Sequence, residues 1–283
     1  MSIIQHLAHS TKVLLGRVNA GRGLSIFPGD RFLVSYPRSG STWSRFLIGN
    51  LLSESEPITF ANLESRLPSI YLCSDRQLRR VPRPRLITSH EPFDPSYKTI
   101  LYVVRDPRDV AVSFYHYSLK NRHILDGYPM DKFVSRYVTV EVDPMYNRWG
   151  SWADHAMSWV TMRQDRSGFL LLRYEDMVEN PERELAKVAS LLKLDVTPER
   201  LSRAVELSSA DRMRRLEKEQ HKAWTQTSHT RADKPFVRTA GSGDWRTSLS
   251  SAAIAEIEEA WGPVMQTLGY ALSSSVPLHE VRR

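Results

Sequence analysis

The chain has 283 residues, with 39 Lys and Arg against 32 Asp and Glu and a formal net charge of +7. That length suits one α/β domain of generous size better than two. A single cysteine, Cys73, excludes an internal disulfide and suits a reducing compartment, and no run approaches the roughly 18–20 uninterrupted apolar residues of a membrane span. The opening segment, Met1 to Gly21, carries a short apolar patch with Lys12 that is too broken for a signal peptide, so a cytoplasmic location is expected. No tandem repeat, low-complexity tract or heptad run interrupts the chain.

The first apolar run, Phe32-Leu33-Val34, reads as the centre of a buried strand over 31–35. Behind it come Ser35-Tyr36-Pro37-Arg38-Ser39-Gly40-Ser41-Thr42, and then Trp43, Phe46, Leu47 and Leu51 at the spacing of one helix face. A strand, a tight hydroxyl-rich turn and a helix N-terminus make an anion cradle, because unpaired N–H groups and small side chains let an oxyanion approach. Arg38 adds a fixed cation. The loop is not that of a nucleotide kinase: it has one glycine, no Gly-Lys-Ser/Thr occurs in the chain, and no strand-end carboxylate stands ready for magnesium. Taken alone, the turn could equally be a helix cap.

A second strand is expected over 85–89, ending at His90. A third, over 100–104, ends in Arg105 and is broken at Asp106-Pro107; Asp109 or its neighbour then starts a helix that carries Ser113. An arginine at the carboxyl end of a parallel strand faces the usual ligand crevice, where with Ser113 it could fork a terminal phosphate. The plainer alternative is an ion pair with Asp106 or Asp109. A fourth strand over 169–173 precedes Tyr174, and Pro181 fits the first turn of a helix that Asn180 is expected to cap, with Leu185, Val188, Ala189 and Leu192 as its apolar face. Residues 200–246 hold 11 Lys and Arg against 6 Asp and Glu. That stretch is read either as a mobile lid over an anionic ligand, at about 212–243, or as a solvated basic surface. It carries no nucleic-acid-binding module. Ile254, Ile257, Trp261, Val264 and Leu268 trace a last helix that Gly262-Pro263 is expected to kink or break.

Together these segments resemble the sulfotransferase family, in the branch typified by its cytosolic enzymes. The turn at 36–43 is similar to that family's 5′-phosphosulfate loop, Tyr-Pro-Lys-Ser-Gly-Thr-Thr-Trp, and Arg105 to Ser113 to its 3′-phosphate motif, Arg-Asn-Pro-Lys-Asp-Val-Ala-Val-Ser. Thr88-Ser89-His90-Glu91-Pro92 resembles the Lys-Thr-His-x-Pro segment, and Gly150-Ser151-Trp152 with His155 the Gly-Ser-Trp-x-x-His helix. Tyr174-Glu175-Asp176-Met177 resembles Tyr-Glu-Asp-Met, and Arg238 with Gly243-Asp244-Trp245-Arg246 the late Arg-Lys-Gly…Gly-Asp-Trp-Lys motif. The matches run in the family's order over about 32–246.

The resemblance implies one α/β domain over 1–283, with a central parallel sheet flanked by helices and a P-loop-like phosphosulfate loop. It implies 3′-phosphoadenosine 5′-phosphosulfate (PAPS) as co-substrate, adenosine 3′,5′-bisphosphate (PAP) as product, and no required metal. His90 becomes the expected base. Arg38 becomes a catalytic clamp on the departing 5′-phosphate, with Ser39, Gly40, Ser41 and Thr42 around it. Arg105, Ser113 and Arg238 are expected on the 3′-phosphate, and Trp43 and Tyr174 near adenine. Ser208, Thr239 and Ala240 complete the expected donor site by alignment. The chain departs from the family pattern at Arg38, Thr88 and Thr239-Ala240, where lysine or Lys-Gly is usual, and at Ser208-Ser209-Ala210, which lacks an aromatic. It also lacks the dimer motif of the animal enzymes, and its oligomeric state is left open. The departures keep a non-catalytic PAP-binding protein as the alternative, with a nucleotide-dependent kinase more distant. The acceptor is expected to be a small-molecule, lipid or carbohydrate hydroxyl, or an amine. Its pocket is expected from 54–84, 120–150 and 216–235, with Tyr71, Tyr128, Tyr137, Tyr146, Trp149 and Trp224 as candidate walls.

Overall fold

Apolar and aromatic residues crowd four short runs, and each is a strand in the computed structural model, which describes residues 18–273. They are β1 (Arg31–Ser35), β2 (Leu86–Ser89), β3 (Thr99–Val104) and β4 (Phe169–Arg173). All pair in parallel, in the order β2-β1-β3-β4, with Val34 opposite Ser89 on one side and Tyr102 on the other. The apolar patch up to Arg17 lies outside the described residues.

A parallel sheet must be covered on both faces, and the alternation of side chains along its central strands does the sorting. Phe32, Val34, Ile100, Tyr102 and Val104 pack into one layer. Above it lie the helices α2 (Pro107–Lys120), α3 (Trp152–Arg163) and α6 (Ser251–Thr267). Leu33, Leu101 and Val103 pack into the other layer, beneath α1 (Ser41–Leu52) and α4 (Pro181–Leu192). The α5 helix (Ala210–Glu219) and the chain after it fold back over the carboxyl ends of the strands.

Three local expectations need correction. Helix α2 begins at Pro107, two residues before Asp109, because the Asp106 side chain caps it by accepting from Arg108 N at 2.9 Å. Asn180 holds the first cap position of α4, but its side chain makes no capping bond. Helix α6 runs unbroken through Gly262-Pro263. Pro263 lies on its solvent face, where the carbonyl deprived of an N–H partner can be hydrated.

The strand order reverses direction between β1 and β3, which opens a crevice at their carboxyl ends. Each strand delivers its next residues into that crevice: the turn 36–40 after β1, His90 after β2, Arg105 after β3 and Tyr174 after β4.

Candidate active site

The turn after β1 is held in backbone conformations chosen for closeness. Arg38 has φ +68° and Gly40 φ +99°. A Cβ on Gly40 would fall into the Tyr174 ring, 2.6 Å from its Cε2, so no other residue fits here without displacing that ring. Gly40 leads into α1, whose first turn has no side-chain cap; Ser44 N is the first to pair, with Gly40 O at 3.0 Å. The N–H groups of Ser41, Thr42 and Trp43 therefore stay open at the positive end of a 12-residue helix. Ser39 is fully buried, and its Oγ has no partner. Unlike its neighbours in the turn, Ser39 does not line the crevice.

Arg38 reaches across the turn to Ser113 of α2, with Nη2 3.3 Å and Nε 3.4 Å from Oγ. Its guanidinium sits 4.5 Å from the Tyr117 ring centroid and 5.3 Å from that of Phe236, and no carboxylate pairs with it among the described residues. Arg105 is buried, lies 4.3 Å over the Tyr174 ring and donates to Gly241 O at 3.0 Å, while its Nε has no partner. Asp109 stands 3.7 Å from Arg105, so the ion-pair reading of that arginine is met in part. Both Asp109 oxygens are engaged elsewhere, accepting from Gly243 N at 2.7 Å and Trp245 N at 3.0 Å. Burial pushes its carboxyl above the usual range, against the pull of Arg105 and those two N–H groups.

The late segment closes over this end. Arg238 pairs with Asp244 at 2.7 Å, and Thr239 donates to the same carboxylate at 2.7 Å. Arg238, Thr239 and Ala240 line the cleft, as do Arg38, Gly40, Ser41, Thr42, Trp43, Arg105, Ser113 and Tyr174. Ser208 does not. It is fully buried, donates to Ala204 O at 2.7 Å, accepts from Asn50 at 3.0 Å, and only its carbonyl approaches the site, as acceptor for Trp43 Nε1. Ser208 braces Trp43 from behind.

His90 occupies the opposite wall. Its Nδ1 donates to Ser35 O at 2.7 Å, which fixes the tautomer and leaves the Nε2 lone pair to the cleft. Burial lowers the imidazole to about 4; the carbonyl of Ser35 opposes that shift, and the charges of Arg45 and Arg38 add to it. At neutral pH His90 is therefore unprotonated. Two further groups hold it. The Tyr71 hydroxyl accepts from His90 N at 2.9 Å and donates to Glu91 at 3.0 Å. His155, buried on α3, donates from Nε2 to His90 O at 3.0 Å and accepts at Nδ1 from Tyr102 at 2.9 Å.

The cleft has a volume of about 430 Å³. Of the aromatic residues expected at the acceptor end, Tyr71, Tyr146, Trp149 and Trp224 line it. Tyr128 and Tyr137 turn instead into the packing around α2. Sequence reasoning missed Arg45, Lys120 and Arg148. Lys120 ends α2, a place that reads as solvated, yet it is 1% exposed and donates to Arg231 O at 3.0 Å and Lys234 O at 2.6 Å. Among the described residues no cluster of His, Cys, Asp and Glu is placed to hold a metal ion, and no helix is long and apolar enough to cross a membrane.

Comparison with known proteins agrees with this frame. A family model described as a sulfotransferase domain matches residues 28–269. Sulfotransferase 1B1 of Mus musculus is 31% identical over 238 residues, covering 77% of each chain. The crystal structure of mouse sulfotransferase SULT7A1 complexed with PAP superposes with a TM-score of 0.70 at 24% identity, covering 90% of both chains. Retinol dehydratase in complex with androsterone and inactive cofactor PAP superposes with a TM-score of 0.67 at 18% identity, covering 90% of this chain and 86% of the other. At those identities the two structures speak to the fold.

Proposed function

The chain belongs to the sulfotransferase family, and on that premise we propose that it moves a sulfuryl group from PAPS to a hydroxyl of a small-molecule acceptor. One observation carries the reading. A base with a free lone pair (His90), an open helix N-terminus at Ser41 to Trp43, and a buried arginine with an unpartnered Nε (Arg105) face one cleft. The unpartnered groups fit a donor that is anionic at two places. PAP in the two structural neighbours is consistent with that donor.

PAPS supplies an activated sulfuryl group whose bond to the 5′-phosphate oxygen breaks with the electron pair left on phosphate. The open N–H groups of α1 and the Arg38 guanidinium meet that growing charge, and they cost no reorganisation because turn and helix already hold them. Arg38 acts as a clamp, since a guanidinium does not give up its proton. As the acceptor oxygen bonds to sulfur, its proton passes to His90 Nε2. Tyr71 and His155 keep the ring aimed, so much of the rate comes from alignment. Negative charge from the donor raises His90 from its low resting value and makes it a stronger base. Arg105 and Ser113 take the 3′-phosphate, helped by Arg238, and Tyr174 and Trp43 border the adenine. Residues 212–243 act as the lid, latched through Lys120 and Asp109.

The test is calorimetric titration of PAP without magnesium, with 5′-AMP as control. Tight binding that depends on the 3′-phosphate is expected, followed by transfer of labelled sulfate from PAPS to hydroxylated acceptors. Equal affinity for 5′-AMP would refute the donor site. Tight PAP binding with no transfer to any acceptor class would leave a PAP-binding protein without catalysis.

A further inference from the structure

The charge lining the cleft is one-sided. Among its described lining residues six are Arg or Lys, and none is Asp or Glu. The neighbouring carboxylates stand behind the wall with partners of their own. Glu64 holds Arg45 at 2.7 Å, Glu217 faces Lys120 at 3.4 Å, and Glu91 takes Arg22 at 2.6 Å together with the Tyr71 hydroxyl. On the donor reading, Arg38, Arg105 and Arg238 are used by phosphate. Arg148 remains. It is exposed at the acceptor end, 4.5 Å from the Trp149 ring centroid and 5.0 Å from that of Tyr71, and no carboxylate pairs with it among the described residues.

Those same two rings enclose the base. Tyr71 stacks parallel to His90 with centroids 5.6 Å apart, and Trp149 meets it edge-on at 5.5 Å. An aromatic wall that ends in His90 at one place and Arg148 at another selects for two features in one molecule. From this we propose that the acceptor is a hydroxylated aromatic compound carrying an anionic substituent away from the reacting hydroxyl, and that Arg148 reads the anion. The proposal rests on the transfer reading above. It also narrows it: a cationic amine entering this cleft finds no carboxylate and several cations, an arrangement that rejects like charge.

A matched set of phenols with the same ring and two-carbon spacer separates charge from shape: 3-(4-hydroxyphenyl)propionate, 4-ethylphenol and tyramine. Their Kd values are measured by calorimetry on the protein saturated with PAP, and their kcat/KM values with PAPS. The carboxylate is expected to bind about tenfold tighter than the neutral phenol, and the amine more weakly than either. The spread should shrink as salt is raised, since Arg148 is exposed. Arg148→Gln removes the carboxylate's advantage, and Arg148→Glu turns the order round in favour of tyramine. Affinities independent of charge, or an order that survives Arg148→Glu, would overturn the proposal. The expected binding order without sulfate transfer to any of the three would keep Arg148 as the group that binds an anionic phenol and refute the claim that such a phenol is the acceptor. The transfer reading itself falls only with failure across all acceptor classes.

Discussion

The two halves of the cleft are built by different means. On the proposed reading, the donor half is made of strand ends: a turn locked by Gly40 against Tyr174, a helix N-terminus, and arginines held by Ser113, Gly241 and the face of Tyr174. The acceptor half is made of aromatic side chains on connecting segments, with Tyr71, Trp149 and Trp224 drawn from three separate stretches. Backbone held by a sheet can recognise an invariant ligand with little adjustment, whereas side chains on loops can be exchanged without disturbing the sheet. Precision is therefore placed where the ligand is constant. His90 belongs to both halves, for its backbone continues β2 while its ring stacks in the aromatic wall.

That division can be tested from its strongest consequence downward. His90→Ala should lower kcat by roughly 10²–10⁴-fold, the usual worth of a general base. PAP affinity should stay within about twofold, and a parallel loss of PAP binding would show that the halves are not separable at this residue. Gly40→Ala should destabilise the fold by about 1–3 kcal/mol in thermal or urea unfolding, because the new Cβ meets the Tyr174 ring at positive φ. It should weaken PAP binding as well. Full affinity there would mean that the turn is less tightly held than its geometry implies. Tyr71→Phe removes the hydroxyl between His90 N and Glu91, so kcat should fall about tenfold with PAP affinity intact. An unchanged kcat would make Tyr71 a wall residue alone.

The smallest expected effect concerns pH. Burial depresses His90 to about 4 and His155 to about 3. Below roughly pH 6.5 the unfolded chain binds protons on these groups that the folded chain refuses. Their contribution to stability is thus complete above that pH and is lost as pH falls through the interval down to about 4 for His90 and about 3 for His155. His155→Gln should flatten the fall in Tm across that interval. A fall of the same slope would assign it to other groups.

The donor half was legible in the sequence because its physics is local. A strand, its turn and the next helix occupy consecutive residues, so 31–52 and 99–120 each announce a complete unit. All four strands stand where the apolar runs put them. The acceptor half was only partly legible. Tyr137 and Tyr146 look equally able to face a ligand, yet Tyr137 is buried in the core, 5.1 Å from Trp261 across its ring, while Tyr146 lines the cleft. Nothing local decides between them, since the partner is more than a hundred residues away. Lys120 escaped notice because a helix-terminal lysine is usually solvated, and here its acceptors are carbonyls at 231 and 234. Ser208 shows the converse: alignment places it in the donor site, whereas packing puts it one layer behind.

Asp109 has a consequence for how the molecule comes into being. Its two oxygens receive the N–H groups of Gly243 and Trp245, 134 and 136 residues further along the chain. As the chain leaves the ribosome, β1, β2, β3 and the turn that cradles the anion all emerge long before the segment that closes over them. Sheet and cradle can be formed while Asp109 still awaits its partners and Arg105 its contact with Gly241. A chain stopped near residue 235 would thus carry all four strands and the cradle but lack Arg238, Thr239 and Ala240 on the cleft wall and the Gly241 carbonyl that holds Arg105, so that end of the crevice is completed only with the last sixth of the polypeptide.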